Sequence, residues 1–250
     1  MTRIISFFVL LGLIMSCEVK EKIPTAQEII DQSIQVSGGS NYTKSNIDFD
    51  FRDIHYSSKL ENGNKVLERI IESDTALILD RKEPSGFKRF VNDSLIVLTD
   101  SLANNYANSV NSVHYFANLP YGLNDRAVQK KLLGKVDIKG KSYYKIEVTF
   151  KEEGGGDDFD DVYIYWFHTE TFKPDYLAYE FHVNGGGQRF REAYNERYVG
   201  DIRFVDYKNY KPKLKNTSIY NIDSLFVNNQ LELLSNITLE NVKVNRGNYN

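Results

Sequence analysis

The amino-acid sequence predicts an α+β fold that is mostly antiparallel β-sheet, with about ten or eleven strands, an N-terminal helix and a helical insert. Composition is the first indication, because seventeen Tyr and fifteen Phe among 250 residues favour strands over helices. The second is a series of short apolar–polar alternations separated by turn sequences rich in Gly, Asn and Pro. The third is a single strong helix-start signal at Thr25. No tandem repeat or linker divides residues 24–250, so we expect one domain there.

The first sixteen residues have the organisation of a secretory signal peptide. Arg3 precedes an apolar run, Ile4–Ile14, and the charged segment Glu18–Lys22 ends the apolar character. The run is shorter than the about 20 apolar residues that a membrane-spanning helix needs. We therefore expect residues 1–16 to direct export and then to be removed.

The only cysteine of the chain, Cys17, directly follows this segment. The sequence IMSC at residues 14–17 resembles the lipobox of bacterial lipoproteins, which implies cleavage before Cys17 and acylation of that residue. A lone thiol would otherwise be reactive in an oxidising compartment, whereas two or more inserted acyl chains anchor a protein stably. The alternative is an ordinary signal peptide followed by an incidental cysteine.

The lipobox resemblance implies an exported protein of the bacterial envelope, held at a membrane by acyl chains through a tether at residues 17–23. Glu18 favours the outer membrane, because inner-membrane lipoproteins often carry Asp at that position. The sequence leaves the membrane leaflet, the oligomeric state and any protein partner open.

The N-terminal helix has a defined start, apolar face and end. Thr25 can cap the helix, with Pro24 before it and Glu28 three residues later, as in a capping box. Gly38 and Gly39 are expected to end it. The apolar face comprises Ile29, Ile30, Ile34 and Val36.

A first group of short strands follows the helix. Ile47, Phe49 and Phe51 alternate with polar residues, as in a half-buried strand. The apolar positions change parity at Ile54, which predicts a β-bulge near Asp53. Further strands are expected at Lys65–Glu72, Ala76–Asp80, Phe87–Val91 and Leu95–Thr99.

A helical insert is predicted at Ala107–Leu133, between two groups of strands. Two short helices are expected around Leu119–Gly122, with Asn124 or Asp125 capping the second and Gly134 ending it. A meander of longer strands then completes the domain. These strands are expected at Tyr144–Phe150, Val162–His168, Leu177–Val183, Arg189–Tyr198, Ile202–Tyr207, Ile219–Val227 and Leu231–Val244.

The segment Val162–Phe181 carries a resemblance to a known family. An aromatic-rich strand containing Tyr165 and Trp166 leads into a turn with Thr171 and Pro174, and the chain then returns as a second strand. This hairpin, the leading helix and the insert resemble the LolA/LolB-like (lipoprotein carrier-like) superfamily. The resemblance implies an open antiparallel half-barrel wrapped around helices, with an apolar cavity that takes acyl chains.

Candidate ligand-binding residues come from this hairpin and from the insert. The strand at Val162–His168 is apolar on both faces, so it must be covered on both, one face by helices and the other by core or ligand. A fully packed core is the alternative to a ligand cavity. The candidate lining residues are Tyr115, Phe116, Leu119, Tyr121, Tyr165 and Trp166.

The sequence offers little catalytic chemistry. It contains no nucleophile elbow, Walker A loop, paired-histidine zinc helix or dinucleotide fingerprint, so we expect neither an enzyme nor a cofactor. His168 and His182 lie on predicted neighbouring strands and could meet as a metal pair, although isolated histidines are the simpler interpretation. An enzyme centred on His114 or His168 is the weakest class. The formal net charge of −3 gives no reason to expect nucleic-acid binding.

Three polar patterns allow further hypotheses. Asp157, Asp158, Asp160 and Asp161 in a Gly-rich turn could bind calcium or be merely solvated. Arg189, Arg191 and Arg197 could form an anionic head-group site or a cross-strand charge ladder. Four Asp-Ser/Thr-apolar triplets match an O-glycosylation sequon of some bacterial envelopes, although turn chemistry also explains them; they begin at Asp74, Asp93, Asp100 and Asp223.

These observations favour a non-enzymatic outer-membrane lipoprotein that binds a lipid or another hydrophobic ligand in a half-barrel. The alternative is a non-catalytic structural or interaction module tethered at the same membrane.

Overall fold

Two antiparallel sheets of seven strands each form most of the protein in a computed structural model, which describes residues 23–154, 159–182 and 185–246. The fourteen strands exceed the ten or eleven predicted, and the mostly antiparallel α+β class is confirmed. The sheets do not close into a barrel, so the architecture is the predicted open half-barrel. The signal peptide, Cys17, most of the tether, Asp157 and Asp158 lie outside the described residues.

Sheet A has the spatial order β14-β1-β2-β3-β4-β5-β6. Its strands are β1 (Ser45–Phe51), β2 (Ile54–Glu61), β3 (Asn64–Glu72), β4 (Leu77–Glu83), β5 (Gly86–Val91), β6 (Ser94–Ile96) and β14 (Glu240–Arg246).

Sheet B has the order β13-β12-β11-β10-β9-β8-β7. Its strands are β7 (Val128–Ile138), β8 (Lys141–Phe150), β9 (Val162–His168), β10 (Pro174–Phe181), β11 (Gly187–Val199), β12 (Ile202–Pro212) and β13 (Leu231–Ile237).

The α-helices of the described residues are few. They are α1 (Ala26–Ser37), α2 (Asn41–Lys44), α3 (Asp100–Ala117) and α4 (Ile222–Val227). Short 3₁₀ turns occur at Tyr121–Asn124 and Ile219–Asn221. None of the helices in this part of the chain is long and apolar enough to cross a membrane.

Helix α1 forms as the sequence predicts. The Glu28 amide donates to Thr25 Oγ1 at 3.2 Å and the Thr25 amide donates to Glu28 Oε2 at 2.7 Å, which completes the capping box. Ile29 and Ile30 are fully buried against sheet B. Gly38 ends the helix with φ +145°, a conformation that glycine adopts without strain.

The predicted bulge near Asp53 is wrong, because this position is a hairpin turn. Arg52 and Asp53 have φ values of +53° and +61°, and β1 pairs directly with β2 on either side of them. The apolar residues therefore change from odd to even positions because a new strand begins after two turn residues.

The insert is confirmed as helical, but its second predicted helix is wrong. Helix α3 spans eighteen residues, Asp100–Ala117, and begins before the predicted insert. The segment expected as the second helix instead enters β7, which pairs with β8 from Val128 to Ile138. Pairing with the edge of β8 overrides the helical propensity of the local sequence.

Two predicted strands near the C-terminus are also corrected. Residues 219–227 form a 3₁₀ turn and α4, which bury Ile219, Ile222 and Phe226, three positions with helical spacing. The segment predicted as one strand from Leu231 is two strands, since β13 pairs with β12 in sheet B and β14 pairs with β1 in sheet A. This crossing connects the two sheets.

Sheet B is covered on both faces, as the apolar strand β9 predicts. Its inner face carries Tyr165 and Phe167, which pack with α1. Its outer face carries Ile164 and Trp166, which pack with α4 and the adjacent 3₁₀ turn. Alternate side chains of one strand point to opposite faces, so each face has its own apolar cluster.

Helix α3 is fixed to sheet A through polar and aromatic contacts. Arg69 Nη1 donates to Ser109 Oγ at 2.8 Å, and His114 Nε2 lies 3.0 Å from the Glu68 carbonyl oxygen. The Arg89 guanidinium lies 3.5 Å from the ring centroid of Tyr106. The opposite side of α3 faces the inner face of sheet B.

Candidate functional site

A cavity of about 730 Å³ lies between α3 and the inner face of sheet B. This volume is within the range of small-molecule and cofactor sites, about 300–1,000 Å³. Strands β9 to β13 form its floor. Helix α3 forms one wall through Asn108, Asn111, Ser112, Tyr115 and Phe116.

One row of paired residues crosses the floor of the cavity. Tyr165 on β9 pairs with Leu177 on β10, and Leu177 pairs with Arg191 on β11. Arg191 pairs with Asn209 on β12, and Asn209 pairs with Ser235 on β13. All five residues line the cavity. The row therefore changes from apolar to polar in the direction from β9 to β13.

A second row of paired residues lies two residues further along each strand and also changes from aromatic to charged. Tyr163 pairs with Tyr179, and Tyr179 pairs with Arg189. The two tyrosine rings stack with centroids 5.6 Å apart and an interplanar angle of 23°. The β9–β10 half of the floor is thus an aromatic surface, and two arginines begin the other half.

Helix α3 supplies aromatic side chains to the opposite wall. The Phe116 ring meets Phe51 edge-on at 5.2 Å, and the Tyr115 ring lies 6.3 Å from Phe150. Tyr115 also packs on Gly122, where any larger residue would collide with its ring. The 3₁₀ turn after α3 therefore helps to hold Tyr115 against the cavity.

The guanidinium of Arg191 lies between aromatic rings. It is 5.4 Å from the Phe116 centroid and 5.2 Å from the Tyr179 centroid, and its Nη2 donates to Tyr179 Oη at 3.2 Å. Its Nε is buried and has no hydrogen-bond partner. Arg189 lies 5.0 Å from the Phe181 centroid and donates to the Gln188 carbonyl at 2.9 Å. Among the described residues, no carboxylate lies within 4.0 Å of the Arg189 or Arg191 guanidinium.

Burial changes the ionisation of the groups around the cavity. Desolvation raises the pKa of both Tyr115 and Tyr165 above the ordinary value, so both phenols stay neutral at physiological pH. The Tyr115 hydroxyl is buried without a partner. Burial also raises the pKa of Asp125 on the rim, against the opposing effect of Lys82 and Lys130.

The structure brings four of the six predicted ligand residues to this cavity, namely Tyr115, Phe116, Leu119 and Tyr165. Trp166 lies on the outer face, where its Nε1 donates to Asp223 Oδ2 at 3.1 Å. Tyr121 stacks on Tyr42 with centroids 4.9 Å apart and does not line the cavity. Adjacent residues of a strand cannot share a face, so Tyr165 and Trp166 cannot line one cavity.

The cavity also contains residues that the sequence did not single out for it. Tyr179 and Asn209 were missed, although Tyr179 shares its alternation with Leu177 and could have been found from that signal. Arg189 and Arg191 both line the cavity, whereas Arg197 pairs with Asp206 at 3.1 Å elsewhere. The three arginines therefore do not form one head-group site, because the register shift between Tyr194 and Arg197 turns Arg197 to the other face.

His168 and His182 do not meet as a metal pair. His168 ends β9 beside the turn into β10, and His182 follows the far end of β10. His182 Nδ1 instead lies 3.6 Å from a carboxylate oxygen of both Asp160 and Asp161. The atoms of these three residues that could ligate a metal, one His182 ring nitrogen and one carboxylate oxygen from each aspartate, lie within 4.8 Å of one another.

Comparisons with known proteins agree with this architecture. A 1.75 Å structure of a DUF1329 family protein from Desulfovibrio piger aligns with a TM-score of 0.51 and 11% identity, over 90% of this chain and 95% of that one. A LolA superfamily protein from Nitrosomonas europaea aligns with a TM-score of 0.46 and 15% identity, over 88% and 94% of the two chains.

A domain from Vibrio parahaemolyticus, described as an outer membrane lipoprotein-sorting protein, aligns with a TM-score of 0.42 and 8% identity, over 81% of this chain and 97% of that domain. A LolA superfamily protein is thus among the matched structures, in line with the resemblance that the sequence predicts, and at such identities all of these matches concern the fold alone. A search of curated proteins found no match.

The fold is an open antiparallel half-barrel with a cavity beside the inner face of sheet B. The chain belongs to the Family of unknown function DUF6503, whose pattern matches residues 4–241.

Proposed function

We propose that this chain is an exported bacterial lipoprotein that binds a lipid or another apolar ligand in the cavity between α3 and sheet B. In this proposal residues 1–16 are a signal peptide and Cys17 carries the acyl chains. Residues 17–23 then tether the binding domain, 24–250, to the outer membrane.

The observation that carries this proposal is the open space beside an aromatic floor. Tyr163, Tyr165 and Tyr179 border a cavity of about 730 Å³ that their own side chains and α3 leave unfilled. The cavity is open to solvent, and its lining combines aromatic rings with polar side chains. A space of this size and lining is therefore typical of a ligand site.

The proposed role is binding without catalysis. Aromatic rings, arginines and amides surround the cavity, and these groups hold and orient a ligand. His114, the histidine considered for an enzyme, instead faces sheet A, where its ring meets Phe49 and Tyr56 edge-on. Its role there is to fasten α3 to β3.

Native mass spectrometry tests ligand binding. The full chain with Cys17→Ser, expressed with its signal peptide, would be purified without detergent and sprayed under non-denaturing conditions. We expect adducts whose masses, after extraction, are those of lipids. Protein that carries no adduct, and that binds none when incubated with a total lipid extract, would contradict the proposal.

Fractionation of cells tests the anchor separately. Wild-type chain is expected in the membrane fraction, and the Cys17→Ser variant is expected in the soluble fraction. Ser16→Ala is the matched control, because it keeps a small residue before the cysteine and is expected to remain at the membrane. Membrane retention of Cys17→Ser protein whose mass shows that residues 1–16 have been removed would show that acylation of Cys17 is not the anchor.

A further inference from the structure

We propose that the ligand of this cavity is an anionic amphiphile, whose carboxylate or phosphate group is bound by Arg191 with support from Arg189. The apolar part of the ligand lies on the aromatic half of the floor. The inference deepens the proposed binding function and rests on it, because it specifies the chemical class of the ligand.

The arrangement of the floor is the first argument. Tyr165 and Leu177 lie at one end of a single row of paired residues, and Asn209 and Ser235 lie at the other end, with Arg191 between them. The row is thus apolar on one side of Arg191 and polar on the other. A ligand that matches both halves has an apolar chain and a polar end.

The state of Arg191 is the second argument. Its side chain is half-buried and its Nε is fully buried without a partner. An unpaired charge in a desolvated position is costly unless an opposite charge or hydrogen bonds compensate it. Aromatic rings hold the guanidinium in place, and the planar donor fork suits a carboxylate or a phosphate.

The acids near the cavity that the structure describes do not pair with these arginines. Asp125 and Asp161 line the rim, but neither carboxylate lies within 4.0 Å of Arg189 or Arg191. The rim acids are therefore separate from the guanidinium groups. The buried Asn209 Oδ1, opposite Arg191, has no partner, and as an acceptor it suits a donor such as a ligand hydroxyl next to the anionic group.

Isothermal titration calorimetry with four single-chain probes tests the inference. The probes are laurate, dodecyl phosphate, dodecanol and dodecyltrimethylammonium, titrated into delipidated full chain carrying Cys17→Ser. We expect laurate or dodecyl phosphate to bind at least about tenfold more tightly than dodecanol, because only the anions form an ion pair, with two bidentate hydrogen bonds, with the guanidinium. The tighter of the two anions distinguishes a carboxylate from a phosphate ligand.

Variants locate the binding site of the anionic group. Arg191→Gln is expected to lose the preference for anions over dodecanol, and Arg191→Lys is expected to keep part of it. Lys208→Gln is the matched control, since Lys208 precedes Asn209 on β12 and lies near Tyr194 on the other face. This control removes the same charge and is expected to keep the preference. If Arg191→Gln unfolds, Arg189→Gln gives the second measurement.

The outcomes separate the two proposals. Equal binding of all four probes, or tighter binding of the cationic probe, overturns the anionic preference and leaves an apolar cavity. An anion preference that survives both Arg191→Gln and Arg189→Gln overturns the assigned residues. Failure of every probe to bind, together with native protein free of lipid, contradicts the proposed function itself.

Discussion

Lys145 Nζ lies 2.6 Å from Oδ2 of Asp223, and both side chains are about nine-tenths buried. Lys145 also donates to the Tyr220 carbonyl at 2.6 Å, and Trp166 Nε1 donates to the same carboxylate oxygen at 3.1 Å. This network fastens α4 and its 3₁₀ turn to the outer face of sheet B. It lies on the face opposite the cavity, so it supports the fold without contacting the proposed ligand.

Asp223→Ala is expected to destabilise the fold strongly. The substitution leaves Trp166 Nε1 without its acceptor and leaves the buried Lys145 charge with only the Tyr220 carbonyl, and breaking a buried ion pair in this way costs about 3–5 kcal/mol. Urea denaturation measures the free energy of unfolding. The control is Glu232→Ala, which breaks an exposed pair with Lys211 at 3.5 Å and is expected to cost less than about 1 kcal/mol. A loss for Asp223→Ala as small as that of the control would contradict the role of this network.

Trp166→Phe is expected to lower the stability of the fold with little effect on ligand binding, whereas Tyr165→Ala is expected to weaken ligand binding. Trp166 packs on Phe190 and donates to Asp223 on the outer face, so Trp166→Phe is expected to lower the free energy of unfolding by about 1–3 kcal/mol. Laurate affinity is expected to change less than twofold. Tyr165→Ala removes part of the cavity floor and is expected to weaken laurate binding, measured on protein shown to be folded by circular dichroism. Equal effects of the two variants on laurate affinity would contradict the assigned faces.

The two neighbours also show how far the sequence can predict the site. Alternation along Val162–His168 predicts that Tyr165 and Trp166 point to opposite faces, but it does not reveal which face borders a cavity. That depends on where α3 and α4 pack, and both placements are long-range. The face of the sheet on which Arg191 lies can be assigned only after its pairing with Leu177 is known.

Local signals explain the parts of the fold that could be predicted. The capping box at Thr25 involves residues three apart, so it forms the same helix start in any context. The β7 segment is the opposite case, because a sequence with helical character becomes a strand when β8 offers an edge to pair with. The crossing of the chain from β13 to β14 likewise depends on partners far away in the sequence.

Acidification is expected to destabilise the protein through His114. Burial lowers the pKa of His114 to about 4, and nearby Lys65 and Lys82 contribute in the same direction. An unfolded histidine has a pKa of about 6.5, so between pH 6.5 and 4 the unfolded chain binds a proton that the folded chain does not. The free energy of unfolding therefore falls as the pH decreases through this window, by about 3 kcal/mol from this residue.

Urea denaturation at several pH values measures this contribution. His114→Gln is expected to be less stable than wild type at pH 7, because the contact with the Glu68 carbonyl changes, but to lose less stability on acidification. An identical slope for wild type and His114→Gln would show that His114 does not contribute.

Filling the cavity from α3 is expected to abolish ligand binding without unfolding the protein. Ser112 is exposed and lines the cavity, so the indole of Ser112→Trp can occupy the space between α3 and the floor. We expect laurate affinity to fall at least about tenfold, because the ligand must displace the ring, while the unfolding free energy changes by less than about 1 kcal/mol. Ser101→Trp, at an exposed position of the same helix away from the cavity, is expected to bind like wild type. Undiminished laurate binding by Ser112→Trp, measured by calorimetry, would place the ligand outside this cavity.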